Sequence, residues 1–145
     1  MNYCFFGHRD ANDSLQSEIG RILIDITADN CPHCFFVGNN GNFDCMVQKE
    51  LHKVASVNTY ITVYFVLSRP DERVISGYNQ YSIYPEGLEG TPKRFLISKR
   101  NNWIIKRCNA AIVCLNHRFT NTSGIVELAK KKGLEIINIC KLADY

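Results

Sequence analysis

The chain has 145 residues, 46% of them hydrophobic and 21% charged, and a formal net charge of +3. That balance excludes a disordered chain and suits one folded domain, residues 1–145, with a buried core. No apolar run nears the roughly 20 residues of a membrane span, and residues 1–10 reach charge too early for a signal peptide. A cytoplasmic protein without a membrane partner is therefore expected. The basic residues are scattered in short clusters, Lys93-Arg94, Lys99-Arg100, Lys106-Arg107 and Lys130-Lys131-Lys132. The positive charge favours anionic partners, but a dedicated nucleic-acid binder carries a denser stripe, so nucleic acid is not the expected partner.

In chain order, residues 3–6 read as a short buried strand. Leu15, Ile19, Ile22, Leu23 and Ile26 then recur at helical spacing, with Asp13 or Ser14 as cap. Residues 34–37 form a second strand, and Val47, Leu51, Val54 and Ala55 mark a helix that starts near Asp44. Residues 60–67 are rich in β-branched and aromatic side chains and form a third strand. Residues 69–92 hold Pro70, Gly77, Pro85, Gly87, Gly90 and Pro92, a long connection of the functional-loop kind. Its Tyr78, Tyr81 and Tyr84, spaced by three, suit packing under the loop, with a base-stacking lid as the alternative. Residues 93–107 read as helix, with Trp103 in the core or at a dimer face. Residues 110–115 form a fourth strand, 123–132 a helix stopped at Gly133, and 134–139 a fifth strand.

Continuous apolar strands alternating with helices predict an α/β fold: a Rossmann-like open parallel sheet of about five strands with helices on both faces. Ligands of such sheets bind beyond the carboxyl ends of the strands, where strand order reverses. Three loops stand there. They are Gly7-His8-Arg9-Asp10, then Gly38-Asn39-Asn40-Gly41 leading to Asp44, and Asn116 through Thr122-Ser123-Gly124 leading to Glu127. Each opens a helix, whose N–H groups and dipole attract anions. Glycines let a phosphate approach the backbone, and Arg9 and Arg118 can grip it with two N–H groups. Each loop taken alone reads equally as a turn or a helix cap, with Asp44 as an N-cap. Taken together they predict a phosphate pocket. Asp44 and Glu127 would then face sugar hydroxyls or serve N-glycosidic cleavage.

The chain has seven cysteines. Cys4, Cys114 and Cys140 sit in apolar runs and read as small buried hydrophobes in a reducing compartment. Cys31-Pro32-His33-Cys34 lacks a second ligand pair, so neither a metal nor a cofactor is expected.

Four segments carry a family resemblance: GHRD at 7–10, FFVGNNGNFD at 35–44, RNNWIIKRCNAAIVCLN at 100–116 and NTSGIVELAKKKG at 121–133. In these the chain resembles the SLOG superfamily, the Rossmann-like proteins related to Smf/DprA and lonely guy, most closely its YpsA-like branch. The resemblance implies binding of a nucleotide or an ADP-ribose-like derivative, as a sensor or as a sponge for a nucleotide signal. It also implies a homo-oligomer, with sites near subunit contacts. In the lonely-guy branch an Arg and a Glu at the places of Arg100 and Glu127 carry phosphoribohydrolase activity. Here Phe119-Thr120-Asn121-Thr122-Ser123-Gly124 replaces that branch's PGGxGT run, which favours binding over catalysis. The DprA side of the superfamily supplies a third reading, single-stranded nucleic-acid binding.

Overall fold

In the computed structural model, which describes residues 1–72, 77–116 and 120–140, strands and helices alternate along the chain. They are β1 (Asn2–Gly7), α1 (Gln16–Thr27), β2 (His33–Val37), α2 (Asn42–Val57) and β3 (Ile61–Val66), then β4 (Gln80–Ile83), α3 (Leu96–Ile105), β5 (Ala110–Cys114), α4 (Asn121–Lys131) and β6 (Glu135–Asn138). The strands form one parallel sheet in the order β4-β3-β2-β1-β5-β6. The chain steps outward from β1 to β4 and returns to the far side of β1 as β5. The carboxyl ends of β1 and β5 are therefore the switch point.

One face of the sheet packs α1 and α2 on Tyr3, Phe5, Phe35, Val63 and Ile112. Ile19 and Leu23 bury one stripe of α1, and Val47, Leu51 and Ala55 bury one stripe of α2, each at a spacing of four. The second face packs Ile104 and Ile105 of α3 and Val126 and Ala129 of α4 on Cys4, Phe6, Ala111 and Val113. Helix α4 lies over β1, β5 and β6. Helices pack about 8–10 Å apart and strands about 4.8 Å, so two helices cover about four strands. Among the described residues, neither α3 nor α4 packs closely on β3 or β4.

Three features differ from the sequence expectation. Among the described residues the sheet has six strands, where the sequence suggested about five. Strand β4 lies inside residues 69–92, pairs in parallel with β3 from Val63↔Gln80 to Val66↔Ile83, and is only four residues long. Tyr78 and Tyr81 are correspondingly exposed, at 66% and 51%, so these two do not pack under the loop as their spacing suggested. Leu88 is buried instead, and Lys99 Nζ donates to Gly87 O to hold the segment against α3. The second difference is a disulfide between Cys114 and Cys140, replacing the free thiols expected there. Parallel pairing of β5 with β6 brings their Cα atoms to 4.9 Å, within bridging range. Cys4 remains a buried free thiol.

The third difference concerns the glycines. A Cβ at Gly7 would overlap the Phe43 ring, and one at Gly38 would stand 2.7 Å from Arg100 Cζ. Gly41 has φ +116, and a Cβ there would stand 2.5 Å from Arg9 Cα. The missing side chains make room for protein atoms rather than for phosphate. Asn42 N–H donates to Arg9 O, and Asn42 Nδ2 donates to Ala11 O and Asp13 Oδ1. These bonds tie the loop after β1 to the start of α2.

No helix among the described residues is long and apolar enough to cross a membrane.

Candidate functional site

A groove of about 700 Å³ opens at the carboxyl ends of β1 and β5. One wall is a face of α3 and the turn before it: Arg94, Ile97, Ser98, Asn101 and Asn102. The opposite wall is a face of α4: Asn121, Gly124, Ile125 and Leu128. Both sets follow the helical period of three and four. Gly7, His8, Arg9, Asp10, Asn40, Thr120 and Thr122 complete the lining.

The N-terminus of α4 is organised by a capping box. Ser123 N–H donates to Thr120 Oγ1, while Thr120 N–H donates to Ser123 Oγ. Among the described residues nothing accepts from the N–H groups of Asn121 and Thr122, which stand free at the helix end that lines the groove. Thr122 Oγ1 lies 3.5 Å from His8 Nδ1, linking the wall to the loop after β1.

Beneath the groove lies a cavity of about 30 Å³, lined by Phe5, Phe6, Gly7, Gly38, Asn40, Asp44, Arg100, Asn101 and Ile125. It has room for about one or two waters, or one ligand hydroxyl. Asp44 Oδ2 accepts from Asn40 N–H at 2.9 Å, so one carboxylate oxygen reaches back from the first turn of α2 to the turn before it; the N-cap position is Gly41, not Asp44 as the sequence suggests. Burial raises the Asp44 carboxyl from its ordinary value of 3.8, against the opposing pull of the Arg100 charge and the Asn40 N–H. Burial likewise lowers Arg100, against the charges of Asp44 and Glu72. Desolvation outweighs mutual attraction because no direct ion pair joins the two among the described residues.

Arg100 and Asn101 are 3% and 4% exposed. Arg100 Nη2 and Nε both donate to Asn101 Oδ1, at 3.1 and 3.4 Å. A guanidinium has no acceptor, so this contact settles which way the amide points. The carbonyl oxygen is turned to Arg100. The Asn101 Nδ2 donors meet no acceptor among the described residues, and Asn101 lines both the groove and the cavity. With Arg9, Arg94 and the free end of α4, it offers the groove mainly hydrogen-bond donors.

The expected site residues divide into three groups. Gly7, His8, Arg9, Asn40, Thr122 and Gly124 line the groove, while Gly38, Asp44 and Arg100 line the cavity below. Asn39, Gly41, Asn116, Ser123 and Glu127 line neither. Ser123 is engaged in the cap, and Gly41 lies under Arg9. Glu127 is solvent-facing and pairs with Lys130 at 3.4 Å. It lines neither the groove nor the cavity that holds Arg100, so it does not join Arg100 as a catalytic pair would. Arg118 lies outside the described residues. The sequence reading passed over Arg94, Ile97, Ser98, Asn101 and Asn102. Their signal was the polar spacing 94, 98, 101, 102 along one helix face.

Among the described residues no group of three or more His, Cys, Asp or Glu could hold a metal ion.

Asp44 is predicted to give stability an unusual pH dependence. A carboxyl raised on folding contributes stability that is full below the ordinary value and is lost as pH rises through the folded one. Urea midpoints of wild type and Asp44→Asn, compared from about pH 4 to pH 7, should show the wild type losing ground to the variant. A wild type that gains ground with pH would mean that the fold favours the charged carboxylate.

No family model and no curated protein matches this chain. Solved structures do match. The DNA processing protein A (DprA) of Streptococcus pneumoniae aligns with a TM-score of 0.66 and 16% identity, over 93% of this chain and 48% of that one. A structure of DNA processing protein A from Helicobacter pylori, described for its single-stranded DNA binding mode, aligns with a TM-score of 0.65 and 11% identity, over 94% and 63%. The chain thus spans about half to two thirds of the chains it matches. The likeness establishes a shared fold; it reaches neither a superfamily nor its YpsA-like branch. The second of these proteins is described as binding single-stranded DNA, which corrects the expectation, drawn from scattered charge, that nucleic acid is not a partner to look for. Residues scattered in sequence are gathered by the fold, since Arg9 and Arg94 line one groove.

Proposed function

We propose that the groove holds a segment of single-stranded nucleic acid, with its phosphates on the donor-lined wall. The observation that carries this reading is the Asn101 amide, buried and turned donor-side out by Arg100. Phosphate oxygens accept hydrogen bonds and offer no donors, so they suit Asn101 Nδ2, Arg9, Arg94 and the α4 N-terminus together. The volume of about 700 Å³ lies in the usual range for ligand sites. Ile97, Ile125 and Leu128 supply apolar surface for bases. The fold shared with a protein described as binding single-stranded DNA points the same way.

Fluorescence anisotropy with labelled single-stranded oligonucleotides tests this reading. Binding should weaken steeply with salt, as phosphate contacts release counterions. Absence of binding at low salt would sink it.

A second reading is a free nucleotide derivative, sensed or sequestered. The cavity at Asp44 favours it. A group entering there can donate to Asp44 and accept from Asn101, which a sugar hydroxyl does and an internal deoxyribose cannot. Thermal shifts with mononucleotides, ribo against deoxy, separate the two readings. The phosphoribohydrolase reading has no such support, because Glu127 stands outside the groove.

Gly124 gives a sharper probe of where the ligand lies. Nothing stands within 4 Å of a Cβ built there. Gly124→Ala is expected to stabilise the fold by about 0.5–1 kcal/mol, because alanine restricts the unfolded chain and favours helix. The same methyl projects into the groove and should weaken oligonucleotide binding. A variant that melts higher yet binds unchanged would place the ligand elsewhere.

A further inference from the structure

The groove lies between two helices that run the same way. Helices α3 and α4 both start at the carboxyl edge of the sheet and lead to the amino ends of β5 and β6. The row Arg94, Ser98, Asn102 lines one wall, and the row Asn121, Gly124, Ile125, Leu128 lines the other. One further turn continues each row at the spacing of three and four. On α3 the next residue is Lys106, and on α4 the next are Lys131 and Lys132. All three are exposed, and none of them lines the groove. They stand at the amino edge of the sheet, at the far end from Arg9, Arg94 and the free end of α4. The fold thus places cations at both mouths of the groove.

Lysines near a helix end serve the helix dipole in many proteins, and two observations point beyond that role. The first is the absence of opposing acid. From Gly90 to Val126 the sequence holds seven Lys or Arg and no Asp or Glu. At the lower mouth Glu127 is paired with Lys130. Glu135, exposed at the start of β6, is one acid beside Lys106, Arg107, Lys131 and Lys132. The second is Arg107, which is exposed yet held in place. Its guanidinium lies 3.7 Å over the Trp103 ring, and its Nη1 donates to Trp103 O at 2.9 Å. Its other N–H groups donate to nothing among the described residues. A cation already fixed by its neighbours loses less freedom when an anion arrives.

We propose that a single strand runs the whole length of the groove, with phosphates at both mouths, the lower one formed by Lys106, Arg107, Lys131 and Lys132. On the reading of the groove as a single-strand site, on which this rests, the ligand is an internal segment of a continuous strand. A strand end or a free nucleotide fills only part of it. From Arg94 to Lys106 the wall is about 18 Å long at the helical rise, which spans about five nucleotides at the spacing of stacked bases.

Anisotropy titrations with deoxythymidine strands of about 4 and about 16 nucleotides, over a range of salt, test this. Each phosphate contact on a single strand steepens the logarithmic salt dependence by about 0.7, whereas the extra binding registers of a long strand leave the slope unchanged. The long strand should therefore show a slope steeper by about 2, the share of three lysines. A chain carrying Lys106→Gln, Lys131→Gln and Lys132→Gln should return the long strand to the short-strand slope. It should still bind the short strand, which shows that it is folded. Arginine at the same three positions should keep the wild-type slope, and a circularised strand should bind with the slope of the linear one. Equal slopes for the two lengths in the wild type overturn the proposal, as does a glutamine variant with the wild-type slope or a circle that fails to bind. A glutamine variant that loses the short strand as well overturns it in favour of a role for the lysines in the fold. Short-strand binding by the wild type in any of these cases leaves the groove a single-strand site. Only failure of both lengths to bind the wild type sinks that underlying reading.

Discussion

Replacing Asn101 by aspartate is expected to lower oligonucleotide affinity by about 10- to 150-fold, and more at low salt. The residue is nearly isosteric, so the groove keeps its shape. Arg100 then faces a carboxylate in place of a carbonyl oxygen, which the guanidinium grips at least as well. The fold should therefore keep its stability. The groove, however, loses the two Nδ2 donors and gains a negative charge. A hydrogen bond to a charged group contributes about 1.5–3 kcal/mol, at 1.4 kcal/mol per tenfold. Asn101→Ala should lose less, since it removes the donors without adding charge. Anisotropy titrations of the three proteins at two salt concentrations rank them. An Asn101→Asp protein that binds like wild type would show that no phosphate meets this amide.

The second large effect is on stability. Gly7→Ala should destabilise the protein by about 3 kcal/mol, because the new methyl overlaps the Phe43 ring in the core. Gly7 ends β1 and Phe43 opens α2, so neither side can retreat without moving a strand or a helix. Phe43→Leu in the same chain should recover part of the loss by vacating the space. Urea denaturation of the two variants, alone and combined, measures the coupling. If Gly7→Ala unfolds at the wild-type midpoint yet loses ligand, the glycine serves the ligand and not the core.

That glycine also shows where sequence reasoning stopped. The apolar runs at residues 3–6, 34–37, 60–67, 110–115 and 134–139 announced five strands, because a parallel strand is buried on both faces. Strand β4, with the sequence QYSI at the edge of the sheet, is covered on neither side in that way and has no apolar run to find. The loops at the strand ends were legible as polar, glycine-bearing segments. What filled the space beside each glycine was not, because a missing Cβ says only that something is close. For Gly7 it is an aromatic ring, for Gly38 a guanidinium and for Gly41 a backbone. Cys114 and Cys140 likewise meet only through the pairing of β5 with β6. Glu127 stands three residues after Gly124, a spacing that keeps it near the groove face on paper; only the structure shows it exposed and paired with Lys130.

Arg100 is the residue whose position has the widest consequence. It lies behind the wall, 3% exposed, and no ligand in the groove need touch it. The polarity that the groove presents is nevertheless chosen there, through the orientation of one amide. Arg100→Gln would put a group that both donates and accepts behind Asn101, freeing the amide to turn its oxygen outward. A protein built this way can change what it selects for by a substitution that leaves every surface residue as it was.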